Sequence, residues 1–258
     1  MNPQFDIFIP CAEKDFYKLP FMVDAIKKNI IGFKEIFICL PNIPIGFTYK
    51  NIISETVWVV DSVVFPVNRS PWNHRPNWQY QMCLKLFQQV TSDWFLTIDS
   101  DTIINRPLKL WDDNGKPIWY YGWDQDNKPY HDFNRKMIGV DKVAPFSFIG
   151  DMCFMNRDII NEIVIAAGCN DNKAFIDKAQ KITTPDCYMA EGELYGSFCY
   201  VNHPDMYAWK KLKQAPCEGR TNKERDSFGK YSKQEIKDRI EKYKSMDYDT
   251  FSIHSWVE

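Results

Sequence analysis

Two carboxylates, Asp99 and Asp101, leave the end of a short apolar run, Phe95-Leu96-Thr97-Ile98, with only Ser100 between them. If that run is a strand that ends in a turn, both side chains can turn toward one cation. Hard oxygen ligands of this kind suit Mn²⁺ or Mg²⁺, and a cation held this way sits well on phosphate oxygens. The plain alternative is a solvated strand-end turn, because Asp and Ser are ordinary turn residues. A buried strand directly upstream, at mid-chain, favours the chemical reading.

The alternation upstream must place these carboxylates. Residues 5–10 read as a short buried strand closed by Pro10. Over 16–30, Leu19, Met22, Val23, Ile26 and Ile30 recur at helical spacing, with Gly32 as a stop. Residues 35–41 and 56–61 read as second and third strands, the third ending in Asp61. A polar, aromatic-rich loop over 68–78 leads to a helix over 79–90, and 94–98 is the fourth strand. This order predicts an α/β fold with a mostly parallel sheet covered by helices. Right-handed crossovers gather the loops at the carboxyl ends of the strands, where open α/β sheets bind ligands. Cys11, Asp61, Asp99 and Asp101 all lie at such ends and are expected to cluster. Downstream, 117–121 and 146–154 read as strands, and 158–167, 174–181 and 187–194 as helices. Ser232 to Glu235 is a capping box opening a charged helix, and 251–256 is strand-like. No linker divides the chain, so 1–258 is expected to be a single domain.

The chain has 258 residues, 45% hydrophobic and 26% charged, a globular composition that excludes disorder. A net charge of -2 supplies no whole-chain field for nucleic acid, and no nucleic-acid partner is expected. Aromatics reach 16% with nine Trp, which hints at sugar or nucleotide sites, although most aromatics pack in cores. No run of 18 apolar residues occurs and the N-terminus lacks a signal-peptide pattern, so no membrane span is expected. Eight scattered cysteines without a CxxC pair read as free, buried thiols in a cytoplasmic protein. Dinucleotide, P-loop, HExxH, GxSxG and paired-cysteine zinc patterns are all missing.

Two enzyme classes place a DxD after a strand. Haloacid-dehalogenase-like phosphatases use DxDxT with the first Asp as nucleophile, and Asp99-Ser100-Asp101-Thr102 fits that string. Their motif opens the domain, whereas here three strands come first, and the downstream acidic pair is missing, since Gly150-Asp151 is followed next by Asp158. The other class is the nucleotide-sugar glycosyltransferases of the GT-A fold. The segments Trp78-Gln79-Tyr80-Gln81-Met82-Cys83-Leu84-Lys85-Leu86, Asp99-Ser100-Asp101 and Ala190-Glu191-Gly192-Glu193-Leu194-Tyr195-Gly196 resemble three blocks of a little-characterised GT-A-type family of bacteria and large DNA viruses. The chain is also similar to small viral glycosyltransferases that end shortly after a metal-binding His. Ala190 stands where that family has Ser, Gly150-Asp151 replaces a more His-rich stretch, and the stretch 109–145 matches nothing in it.

The resemblance implies a metal-dependent hexosyl- or deoxyhexosyltransferase in viral or bacterial glycan synthesis, in the cytoplasm (the host's, if viral). A nucleotide-diphosphate sugar, most simply a UDP-sugar, would be the donor and a glycan or glycoprotein the acceptor. Residues 1–105 would be the nucleotide-binding half and 106–258 the acceptor half, ending in a metal-ligand strand. The metal ligands would be Asp99, Asp101 and His254, with Asp99 alternatively on ribose, and an imidazole favours Mn²⁺ over Mg²⁺. Cys11, Asp61, Arg69, Arg75, Trp78, Gln81 and Ser100 would line the donor site, Asp61 on uracil or ribose and the arginines on phosphate. An inverting transfer needs a base beside the acceptor hydroxyl. Glu191 and Glu193, two apart, cannot share a helix face, so one should face the cleft. Glu191 is the expected base, Glu193 an acceptor contact or positioning residue, and Asp151 the reserve base at a strand end beside Gly150. A phosphatase and a non-catalytic nucleotide-sugar or glycan-binding module are the rival readings.

Overall fold

The computed structural model describes residues 2–41, 56–60, 72–122, 127–215 and 232–253. The first half runs β1 (Phe5–Pro10), α1 (Leu19–Asn29), β2 (Phe33–Leu40), β3 (Val57–Val60), α2 (Pro76–Leu86) and β4 (Trp94–Ile98). The central sheet has the order β3-β2-β1-β4-β7, where β7 is Met152–Asn156. Neighbours among β1, β2, β3 and β4 are parallel, and β7 runs antiparallel to β4.

Every residue of β1 is buried, because helices cover both faces of the sheet. Phe5, Ile7 and Ile9 join Ile36, Ile38, Leu96 and the α1 stripe of Leu19, Met22, Val23 and Ile26 in one core. Phe8, Phe37, Phe95 and Met155 face the second core with α2. Asp6 also sits inside, where its Oδ2 accepts from Thr91 N, Thr91 Oγ1 and Ser92 N at 2.7–2.9 Å. That bond set fixes the loop entering β4. The connections step outward from β1 to β2 to β3, then cross back to β4 on the other side of β1. A sheet changes direction there, and a crevice opens between the carboxyl ends of β1 and β4.

The second half adds β5 (Thr102–Ile104), β6 (Ile118–Tyr121), α3 (Lys128–Ile138) and, after β7, α4 (Arg157–Ala166) and α5 (Asn172–Ile182). It closes with α6 (Glu191–Asn202), β8 (Ala208–Lys211), α7 (Lys233–Lys244) and β9 (Thr250–Ser252). β9 pairs antiparallel with β5, and β6 parallel with β8. The capping box at Ser232 and Glu235 forms as expected. No helix among the described residues is long and apolar enough to cross a membrane. Seven of the eight cysteines are described and free, six of them buried; Cys217 lies outside the described residues.

Two expectations need correction, and one helix went unread. The strand expected over 146–154 starts only at Met152, because Glu193 takes the Phe148 N–H and leaves that backbone no ladder partner. The helix expected over 187–194 starts at Glu191. Thr184 and Cys187 are bonded across a turn, and the Met189 backbone is tied to the Gln79 side chain. Helix α3 went unread in the stretch 109–145, although Pro129 in its first turn and Gly139 at its end are ordinary helix bounds. Gly139 takes φ 71°, a left-handed closure that suits glycine.

Candidate active site

The crevice between β1 and β4 is a cavity of about 550 Å³, within the range of small-molecule sites. Cys11, Arg75, Trp78, Gln81, Asp99, Ser100 and Asp101, all expected at the site, line it together. Lys14 and Asp15, from the turn after β1, line it as well and were not anticipated. Asp61, Arg69 and His254 lie outside the described residues.

Each wall has a local cause. The Asp99 N–H donates to Asp151 O at 3.0 Å and Thr102 N–H returns to Asp99 O at 3.1 Å, which turns the chain sharply after β4. Ser100 is buried there, and the Cys11 thiol donates to Ala12 O at 3.4 Å. Burial pushes that thiol far above the ordinary range, so Cys11 is a neutral wall and no nucleophile. Arg75 precedes α2 with φ 46°, the one non-glycine in the left-handed region among the described residues. Such strain concentrates at functional loops. The Arg75 guanidinium lies 4.7 Å from the centre of the Trp78 ring.

Behind the cavity wall lies a residue that the sequence reading gave no role. Lys85, 3% exposed, places its ammonium 2.7 Å from Asp99 Oδ1 and 2.8 Å from Glu191 Oε1. Gln81 Nε2 donates to the same Asp99 oxygen at 3.1 Å. Gln81 and Lys85 are four apart on α2 and so share a face, which is the signal that would have found the lysine. Burial opposes the charge on Lys85, but the Asp99 and Glu191 carboxylates outweigh it and hold the ammonium above the usual lysine range. Burial pushes Asp99 up to about 7 against the pull of Lys85, with Asp101 and Glu191 adding to the rise.

The two glutamates of α6 diverge, as their spacing requires. Glu191 meets Lys85. Glu193 turns into the protein, where Ser147 Oγ donates to its Oε2 at 2.9 Å and Phe148 N–H at 3.0 Å. Burial raises its pKa, and those donors oppose the rise. Asp151 immediately precedes β7 instead of ending a strand. Its backbone still meets the DxD turn, because an antiparallel β7 begins where β4 ends, but Asp151, Glu191 and Glu193 are not among the residues that line the cavity.

Among the described residues, no group of three or more His, Cys, Asp or Glu forms a cation cage. The last described residue, Ile253, returns to the DxD turn, its N–H donating to Asp101 O at 2.8 Å. His254 is the next residue along.

A mixed α/β domain with a mainly parallel central sheet flanked by helices matches the GT-A fold of its structural neighbours. Among solved structures, the chain is similar to mouse xyloside xylosyltransferase 1 in its apo form, at 9% identity over 98% of each chain and a TM-score of 0.50. It is similar to an active-site mutant of LgtC, a galactosyltransferase, at 13% identity, covering 98% of this chain and 89% of that one, with a TM-score of 0.50. At such identities the likeness is one of fold. No family model matches the sequence, and no curated protein does either.

Proposed function

We propose that this protein is a metal-dependent glycosyltransferase that moves a hexose or deoxyhexose from a nucleotide-diphosphate sugar, UDP-linked, to a hydroxyl of a glycan or glycoprotein. The observation that carries the reading is the Asp99-Ser100-Asp101 turn on the wall of the switch-point cavity. The donor set fits a divalent cation: carboxylate oxygens from Asp99 and Asp101, with His254 following the residue bonded to Asp101. Imidazole beside carboxylates favours Mn²⁺. When bound, the cation neutralises the departing diphosphate as a Lewis acid.

The chain's own residues do the remainder. Asp101 is the direct ligand, while Lys85 and Gln81 hold Asp99 in one orientation, on the cation or on ribose. Arg75, and Arg69 from the loop before it, grip phosphate. Asp61 reads uracil or ribose. Trp78 and Cys11 exclude water from the cavity. Glu191, ion-paired with Lys85 at 2.8 Å, is the base of an inverting transfer. Three strands precede the DxD, which argues against the phosphatase reading.

Asp101→Ala tests the assignment. Loss of several kcal/mol of transition-state stabilisation lowers transfer about 10²–10³-fold or more, with an unchanged far-UV spectrum. The assay is transfer and hydrolysis across a panel of nucleotide sugars with Mn²⁺. Undiminished activity in a folded Asp101→Ala protein contradicts the metal assignment. Phosphate release from a generic phosphoester supports the phosphatase, and UDP binding without turnover supports a binding module.

A further inference from the structure

Asp151 joins three segments that are far apart in the sequence. Its backbone oxygen accepts from Asp99 N–H at 3.0 Å, at the base of the DxD turn. Its Oδ2 accepts from Ser252 Oγ at 2.6 Å, on the strand that closes the described chain. The same oxygen accepts from the Gln214 side-chain amide. The segment around Gln214 is in turn laid against that closing strand, with Ala215 N–H donating to Thr250 O at 2.9 Å and Asp249 N–H to Lys213 O at 2.6 Å.

The closing strand is also held by its pairing with β5, by Asn105 N–H donating to Asp249 O at 2.8 Å, and by Phe251 and Ile253, which are buried in the core. β9 has three residues, and the register Thr102 to Ser252 is its last rung before Ile253 N–H reaches Asp101 O. A terminal segment of that length frays unless something ties it down. Asp151 adds a tie at the rung where the strand meets the DxD turn.

We infer that Asp151 is a positioning residue, locking β9 to the DxD turn and so fixing how Asp99 and Asp101 present their carboxylates to a cation. This rests on the metal-dependent reading above and gives Asp151 a part other than reserve base. Both Oδ2 donors converge on one carboxylate oxygen, so the side chain is engaged in holding the tail. An outer-shell group that orients ligands typically contributes about 10–100-fold to metal affinity.

The test compares wild type with Asp151→Ala and Asp151→Asn in the full chain, by two readouts. The first is amide hydrogen exchange of the peptide containing residues 250–253 without metal. The second is Mn²⁺ affinity by electron paramagnetic resonance. Alanine leaves Ser252 and Gln214 without their acceptor, so the tail exchanges faster and Mn²⁺ binds at least about tenfold more weakly. Asparagine keeps an acceptor oxygen and stays within about threefold of wild type, a rescue not expected of a base. Faster tail exchange with unchanged Mn²⁺ affinity overturns the inference, since the tie is then structural only. Unchanged tail exchange in Asp151→Ala overturns it as well. If wild type itself binds no Mn²⁺, the metal reading fails, and tail exchange alone still reports whether Asp151 makes the tie.

Discussion

Lys85→Met is expected to have the largest effect of any single substitution. The ammonium is the shared partner of Asp99 and Glu191, two carboxylates from different ends of the fold. Removing it leaves the buried Glu191 carboxylate without its ammonium partner, next to a part-exposed Asp99. Breaking a buried ion pair from one side costs about 3–5 kcal/mol, because the other charge stays uncompensated. At this size that corresponds to a fall in melting temperature of roughly 6–20 °C. Donor-dependent activity falls with it, because Asp99 loses the contact that orients it. Lys85→Arg keeps the charge and recovers part of the stability. A Lys85→Met protein that melts like wild type shows that the ion triad carries no net stability.

The second large effect falls on Gly196. A Cβ built there lies 2.3 Å from Phe148 Cγ and 2.5 Å from its Cβ. Phe148 is 1% exposed and has no room to retreat. Helix propensity favours Gly196→Ala by about 1 kcal/mol, but overpacking a filled core costs about 1–3 kcal/mol and sometimes more. The clash wins, and thermal denaturation should show a net loss of stability. It also displaces the segment that Glu193 and Gly192 hold, which leads straight into Asp151. A Gly196→Ala protein more stable than wild type means that propensity wins and that the packing is looser than the contact implies.

These two positions mark what a sequence exposes and what it hides. Strands β1 and β4 and the DxD turn were legible from local patterns: short apolar runs, strand-end acids, a Gly32 stop. The switch-point cavity followed, because parallel strands with right-handed crossovers leave few places for a crevice. Lys85 was hidden because its second partner lies 106 residues away, and nothing local reports a pairing at that range. The segment 147–151 was misread for a similar reason. Its residues look like a strand, yet a distant glutamate and two glycines of α6 decide its backbone. Helix α3 is a different case, because Tyr130, Phe133 and Met137 give a buried helical stripe that the sequence did display.

The central claim is that the cavity binds a nucleotide diphosphate through a cation on the DxD turn. Calorimetric titration of UDP with and without Mn²⁺, on wild type and Asp101→Ala, tests it most directly. Each ligand completes the other's site, so UDP should bind wild type at least about tenfold more tightly with Mn²⁺, a coupling of about 1.4 kcal/mol or more. The coupling should vanish in Asp101→Ala. UDP affinity that is the same with and without Mn²⁺, or no UDP binding under either condition, contradicts the account.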